Sequence, residues 1–367
     1  MNKNLLVIGL MSGTSMDGID GTILKTNGTT FDRTEAQASI KYQKSTKTLL
    51  LEAQNNPIKF IKDEYKLNVL NRLVTLDHIN LVKEIISKGT MKPDLIGFHG
   101  QTIYHSFKEK KSIQLGDPQL LSNITKLPVI GQFRQNDIDN GGHGAPLSPV
   151  YHMAIAKKLK LELPISFINI GGVANITYYD KENLIGFDTG PGNGLMDFFI
   201  QRKLKKDYDT DGILAARGIV NTKILNQLKS NVYFKKKFPK SLDKLFFLDY
   251  LDKFFKGSSS DEDILATLLE FTASTISNAF DFLPKNPKYV ILFGGGQFNK
   301  HLIKKLKEYI STNIFLSHEF NLHGQYIEAE LFSYLAARTK YNLPITYPCT
   351  TGVSKPLVGG KIYLPNN

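Results

Sequence analysis

The sequence predicts an α/β protein of two domains built to one plan. Three observations carry the prediction. An apolar run, a glycine-containing turn and a second apolar run occur twice, at residues 5–10 and 19–24 and again at 164–170 and 173–179. Further short apolar runs alternate with segments of helical spacing, the pattern of α/β chains. The 367 residues suit two domains at ~150 residues each, and both can bury a core without staples. The repeat suggests duplicated domains facing each other across a cleft, with boundaries expected at 1–130 plus 340–367 for the first and 131–339 for the second.

Each element has its own warrant. Residues 5–10 are continuously apolar, as a buried strand requires. Residues 12–18 supply turn chemistry, and Asp17-Gly18 ahead of the strand pattern at 19–24 is a hairpin signal, because glycine accepts positive φ. Residues 94–98 and 127–130 read as short buried strands. In the second half Gly171-Gly172 interrupts the strand pair, and 184–187 and 289–293 supply two more strands. Residues 263–282 place Ile264, Leu268, Phe271, Ile276 and Ala279 at helical spacing and stop before Pro284. Gly257-Ser258-Ser259-Ser260 is the loop before this helix, with Asp261 or Asp263 as the expected N-cap. A Lys-rich amphipathic segment runs through Ile310, and residues 326–338 form a helix rich in Ala and Leu.

Composition excludes several classes. Hydrophobic residues are 41% and charged residues 22%, a balance that fits a globular enzyme and not a disordered chain. The one cysteine, Cys349, excludes an intramolecular disulfide framework and a Cys-based zinc site and suits a reducing compartment. The net charge of +12 comes from 40 Lys and six Arg against 34 acidic residues. Base readout and bidentate phosphate clamping favour Arg, so no nucleic-acid partner is expected. The Lys235-Lys236-Lys237 run reads as a solvated face, and the basic balance as steering for small anions. No apolar run of ~18 residues is present, so no membrane helix is expected. The N-terminal apolar run lacks an Ala-x-Ala-like cleavage site and reads as a first strand, which makes the protein cytoplasmic by expectation.

Three glycine-rich segments are candidates for chemistry. Residues 9–20 combine Gly, Ser and Thr in a turn whose N–H and hydroxyl groups suit an anion, with Asp17 and Asp20 able to hold Mg²⁺. A hairpin whose polar groups satisfy their own turn would read the same way. No Walker A sequence occurs. At residues 292–299 a strand, a triple glycine and a helix allow close approach to phosphate, as a plain connector also would. At residues 186–197 Asp188 stands at the carboxyl end of a strand before a glycine turn, where open α/β sheets place reacting groups. A helix cap is its alternative role, although Asn193 is the more economical cap. Two further polar segments follow buried strands: Phe98-His99-Gly100-Gln101-Thr102, and residues 134–148 with Gly141-Gly142-His143-Gly144. Either histidine could be structural. No His-Glu-x-x-His or Gly-x-Ser-x-Gly motif occurs.

Taken in order, residues 9–20, 99–102, 141–149, 169–175, 187–197 and 294–296 resemble the anhydro-N-acetylmuramic acid kinase family, part of the sugar kinase, heat-shock chaperone and actin superfamily. The resemblance runs to Thr351-Gly352 and Gly359-Gly360. It implies two ribonuclease-H-like α/β domains (the actin-like ATPase or sugar kinase fold) flanking a nucleotide cleft. This chain departs from the family at Gln132-Phe133-Arg134, where Asp-Phe-Arg is usual, and at His143, where Gln is frequent. The family's Pro-Lys-Ser-Thr-Gly-Arg-Glu is reduced to Pro239-Lys240-Ser241, followed by Leu242-Asp243-Lys244.

The resemblance implies an ATP-dependent kinase of peptidoglycan recycling. Water opens the bridge of 1,6-anhydro-N-acetylmuramic acid while the 6-oxygen is phosphorylated, giving N-acetylmuramic acid 6-phosphate. It implies Asp188 as the base and Glu328 as a group orienting the water, a surface helix carboxylate being the plain alternative for Glu328. ATP contacts fall to Gly13, Thr14, Ser15, Met16, Asp17, Gly18, Ile19, Asp20, Gly171, Gly172, Asn175, Gly294, Gly295, Gly296 and Asn299, with Mg²⁺ on Asp17 and Asp20. Sugar contacts fall to His99, Gln101, Asn193 and Arg134, the last pairing with the lactyl carboxylate. The rival functions are a kinase of the same superfamily acting on another sugar and a non-enzymatic nucleotide switch. A homodimer stays open.

Overall fold

The structure is a computed structural model that describes residues 2–366 apart from 14, 15, 17, 89, 90, 107, 108, 243–246, 248–250, 252, 256–259 and 323. Thr14, Ser15, Asp17, Asp243, Lys244 and the loop expected at 257–259 therefore lie outside the described residues. The chain forms two compact units, residues 1–158 with 325–367 and residues 159–324. The sequence put the switches at 130 and 340 instead. The helices Pro149–Leu159 and Ile327–Lys340 account for the difference, because they pack together in the first unit. Tyr151 donates a 2.6 Å hydrogen bond to buried Glu330, which also holds Arg33, and its ring lies 5.3 Å from that of Tyr334.

The first unit contains β1 (Leu5–Ser12), β2 (Ile19–Thr26), β3 (Phe31–Ile40), β4 (Leu95–Ser106), β5 (Lys111–Leu115), β6 (Val129–Gly131) and a last strand, Lys361–Tyr363. Its sheet runs last strand, β6, β4, β1, β2, β3, with β5 paired to β4. The second unit contains β7 (Ile165–Ile170), β8 (Val173–Tyr179), β9 (Leu184–Pro191), β10 (Tyr289–Phe293) and β11 (Ile314–Leu316), in the order β11, β10, β7, β8, β9. In both units the first three strands are antiparallel neighbours, and the fourth lies parallel to the first on its other side. Both sheets thus follow one ribonuclease-H-like plan, the duplication expected from the repeated strand–turn–strand.

β1 is almost wholly buried because helices cover both faces of its sheet. Leu81 and Ile85 of the helix Glu64–Lys88 sit over Gly21 on one face. On the other face the helix Ile327–Lys340 comes so close that a Cβ on Gly9 would fall 1.9 Å from the Ala329 carbonyl oxygen, and one on Gly97 2.2 Å from that of Phe332. Glycine at these two positions lets helix backbone meet strand backbone.

The helix expected over 263–282 is Asp261–Asn278 followed by a 3₁₀ turn. Its N-cap is Ser260, whose hydroxyl accepts from the Asp263 N–H at 3.1 Å, and neither Asp261 nor Asp263 caps it. The Asp263 carboxylate is instead turned to the Ile219 N–H at 2.6 Å. Lys235, Lys236 and Lys237 are exposed, as a solvated face requires. Among the described residues no helix is long and apolar enough to cross a membrane.

Candidate active site

In the second unit, strand register aligns Asn169, Asn175 and Asp188 across β7, β8 and β9. Asp188 belongs to β9, and the N-cap position of the helix that follows, Gly194–Leu204, is held by Asn193. Its buried carboxylate accepts from the Leu242 N–H at 2.8 Å through Oδ2. Its own N–H donates to the Lys240 carbonyl at 3.1 Å, and its carbonyl accepts from the Tyr233 hydroxyl at 2.6 Å. Residues 233–242 therefore pack along β9 at Asp188 and fix the carboxylate. Beside it, Asn175 Oδ1 is buried with no hydrogen-bond partner among the described residues.

The turn after Asp188 closes on the other glycine turn. The Asn193 N–H donates to Gly171 O at 2.7 Å, and the Gly192 and Gly194 N–H groups donate to Gly172 O at 3.1 and 3.2 Å. A Cβ on Gly192 would stand 2.0 Å from Gly171 O, so glycine is required there. Asn193 occupies the N-cap position of the helix Gly194–Leu204 but makes no side-chain capping bond, contrary to the expectation from sequence. Its Oδ1 is buried and has no hydrogen-bond partner among the described residues. Instead Asn193 lines a cavity of about 410 Å³ with Met196, Tyr208, Gly295, Phe298 and Asn299. This brings Asn193, assigned above to the sugar, together with Gly295 and Asn299, assigned to ATP. Asn299 Oδ1 accepts from the Leu302 N–H at 3.0 Å and caps the helix Lys300–Tyr309, so its carbonyl is a structural group.

In the first unit, His99 and Arg134 form one assembly. His99 is buried and stacks on Phe332 with ring centroids 4.4 Å apart. Burial, reinforced by the Arg134 charge, holds its imidazole far below the usual histidine range and therefore neutral. Nε2 accepts from Arg134 Nε–H at 3.1 Å, which leaves Nδ1–H to donate to Gly100 O at 2.9 Å and fixes the tautomer. Arg134 Nη1 donates to Gly144 O at 2.6 Å. Gly144 is anchored in turn by its N–H on buried Asp137 at 2.7 Å, and Asp137 also accepts from Thr351. The half-buried guanidinium is thus aimed before any ligand arrives. Sequence reasoning missed Asp137, whose partners come from separate segments.

Glu328 is exposed in the first turn of the helix Ile327–Lys340. The protein mass around it pushes its carboxyl above the ordinary value, Asp20 adds to this, and Arg134 opposes it. Water reaches the carboxylate and screens these effects. Asp20 accepts from Ser39 and, at 3.1 Å, from Gln325. Among the described residues no group of three or more His, Cys, Asp or Glu is placed to hold a metal. The Asp20 carboxylate has the chemistry of a Mg²⁺ ligand.

Three of the assigned residues have side chains inside the fold. Gln101 is fully buried: its amide N–H groups donate to Gly13 O at 3.1 Å and Thr102 O at 3.2 Å, and its carbonyl accepts from Tyr42. It thereby pins the glycine turn. Met16 and Ile19 are each 1% exposed and belong to the core, which leaves their main chain alone for any ligand contact. Gly13 and Gly18 are half-buried at the turn.

The sequence profile of the anhydro-N-acetylmuramic acid kinase family matches residues 5–365. The chain belongs to the anhydro-N-acetylmuramic acid kinase family. The family member of Zymomonas mobilis is 37% identical over 370 residues, covering 98% of this chain and 100% of that one. Those of Rhodopseudomonas palustris and Pelagibacter ubique are also 37% identical, covering 98% of this chain and 100% and 98% of theirs. The protein is accordingly a kinase. Its departures from the anhydro-N-acetylmuramic acid kinase pattern can now be placed. Gln132 is exposed with a φ of 56°, next to the fixed Arg134. The shortened segment at Pro239-Lys240-Ser241 is the one that wraps Asp188.

Proposed function

We propose that the protein transfers the γ-phosphoryl group of ATP to O6 of 1,6-anhydro-N-acetylmuramic acid while water opens the anhydro bridge, in the recycling of peptidoglycan. The observation that carries this is Asp188, a buried carboxylate of β9 that accepts from the Leu242 N–H. Water attacks C1 and gives its proton to the Asp188 carboxylate. The C1–O6 bond breaks, O6 takes the phosphoryl group, and ADP leaves. Glu328 orients the water, and preset Arg134 pairs with the lactyl carboxylate. Phosphoryl transfer needs positioning and charge stabilisation more than covalent help. The main chain at Gly13 and Gly18, at Gly172 and at Gly294–Gly296 would supply N–H groups for it. Mg²⁺, with Asp20 among its ligands, would neutralise phosphate charge.

The cavity walled by Met196, Tyr208 and Phe298 suits an adenine, and the unpartnered Asn193 Oδ1 suits its amino group. On this reading Asn193 contacts the nucleotide and not the sugar. Product analysis with ATP and candidate sugars tests the proposal. The expected product is the anhydro sugar plus one water and one phosphoryl group, formed one for one with ADP. ADP without a phosphosugar would instead make the protein a nucleotide switch, and a phosphate ester with the anhydro bridge intact would remove the hydrolytic step.

A further inference from the structure

Lys240 is a buried lysine that the proposed reaction does not use. It is 6% exposed, yet its ammonium meets no carboxylate at ion-pair distance among the described residues. It sits over three aromatic rings, 4.5 Å from the centroid of Phe282, 4.9 Å from Tyr233 and 5.2 Å from Phe187. Its ammonium donates to the Tyr233 carbonyl at 3.5 Å. A desolvated cation over aromatic faces gains an attraction that an exposed one does not. Burying this lysine therefore locks together the strand residue before Asp188, the residue whose hydroxyl holds the Asp188 carbonyl, and the segment whose amide holds its carboxylate.

We infer that Lys240 is a positioning residue for Asp188. The caged ammonium clamps residues 240–242 onto β9 at Asp188, and the Leu242 N–H then sets the rotation of the carboxylate. The two charges also sense each other. Burial pushes the Lys240 ammonium down to about 8, and the Asp188 charge pulls it back up. Without the clamp, Lys240 O and Leu242 N are free to move away from Asp188, and a displacement of about 1 Å in a reacting group can cost 10²-fold in rate.

This inference rests on the reading of Asp188 as the base, and a double-mutant cycle keeps the two apart. Steady-state turnover is measured for Lys240→Met, Asp188→Asn and the double variant, with ATP and 1,6-anhydro-N-acetylmuramic acid. Lys240→Met keeps the length and the aromatic contacts and removes the charge. It should lower kcat about tenfold or more, leave both KM values within about threefold, and cost nothing further once Asp188 is Asn. Lys240→Arg, which restores a cation over the rings, should recover most of the turnover. A kcat within about twofold of wild type for Lys240→Met, or the same fall on both backgrounds, overturns the inference. If Lys240→Met does not fold, Phe282→Leu opens one wall of the cage and is read in the same cycle, with a smaller fall expected on the wild-type background alone. Asp188→Asn by itself reports on the base, so failure of that reading is seen separately.

Discussion

Arg134 and His99 act as one group. A guanidinium left to itself samples many rotamers, whereas here Nε and Nη1 are each held by an acceptor fixed by its own partners. Order at Arg134 is thus set before the ligand arrives, and its pairing with a carboxylate should be worth more for that. A charged hydrogen bond contributes about 1.5–3 kcal/mol, so Arg134→Ala should raise the KM for the sugar by roughly 10–100-fold. The KM for ATP should stay unchanged. Steady-state kinetics with each substrate varied checks both halves, and an unchanged sugar KM would remove Arg134 from the lactyl contact. Motif order in the sequence pointed to His99 and Arg134 but not to their bond, which spans 35 residues. The inward turn of Gln101 was hidden for the same reason, since Gly13 lies 88 residues away.

At the scale of elements, the site depends on how closely helices approach strands. The helix Ile327–Lys340, which carries Glu328 in its first turn, is seated by Gly9 and Gly97, where any side chain would enter helix backbone. Gly97→Ala should therefore destabilise the protein by about 1–3 kcal/mol, since backbone cannot yield as a side chain can. Urea unfolding measures this, and a loss under ~0.5 kcal/mol would show that the helix shifts freely. The strands at 5–12, 165–170 and 289–293 were legible because central strands are continuously apolar. The edge strand Phe31–Ile40 was not, because its exposed face carries Asp32, Glu35 and Gln37 and breaks the apolar run. The helix Glu64–Lys88 also went unread, although Leu70, Val74, Leu81 and Ile85 keep helical spacing and form part of the core.

For the molecule as a whole, buried histidines set its tolerance to acid. His78 and His152 lie within the first unit, and burial pushes them down to about 4 and about 3. Both bind protons more readily unfolded, at the ordinary value of 6.5, than folded. Their contribution is therefore complete above pH 6.5 and is lost as pH falls toward 4 and 3. At pH 5 each should lower stability by about 2 kcal/mol relative to pH 7. Urea unfolding at the two pH values measures the sum, and unchanged stability would mean that these rings reach water. The duplicated plan of the two sheets was legible from one repeated strand–turn–strand. The unit boundaries were not, because they depend on the packing of Tyr151 against Tyr334 and its bond to Glu330.

The account turns on Asp188 as the base that activates water, and turnover of Asp188→Asn tests it most directly. Asn keeps the size of the side chain and can still accept from the Leu242 N–H, while basicity is lost. General-base catalysis contributes about 10²–10⁴-fold, so turnover should fall at least a hundredfold with folding and ATP affinity near normal. A variant that keeps more than about a tenth of wild-type turnover would contradict the assignment and leave Asp188 a structural carboxylate.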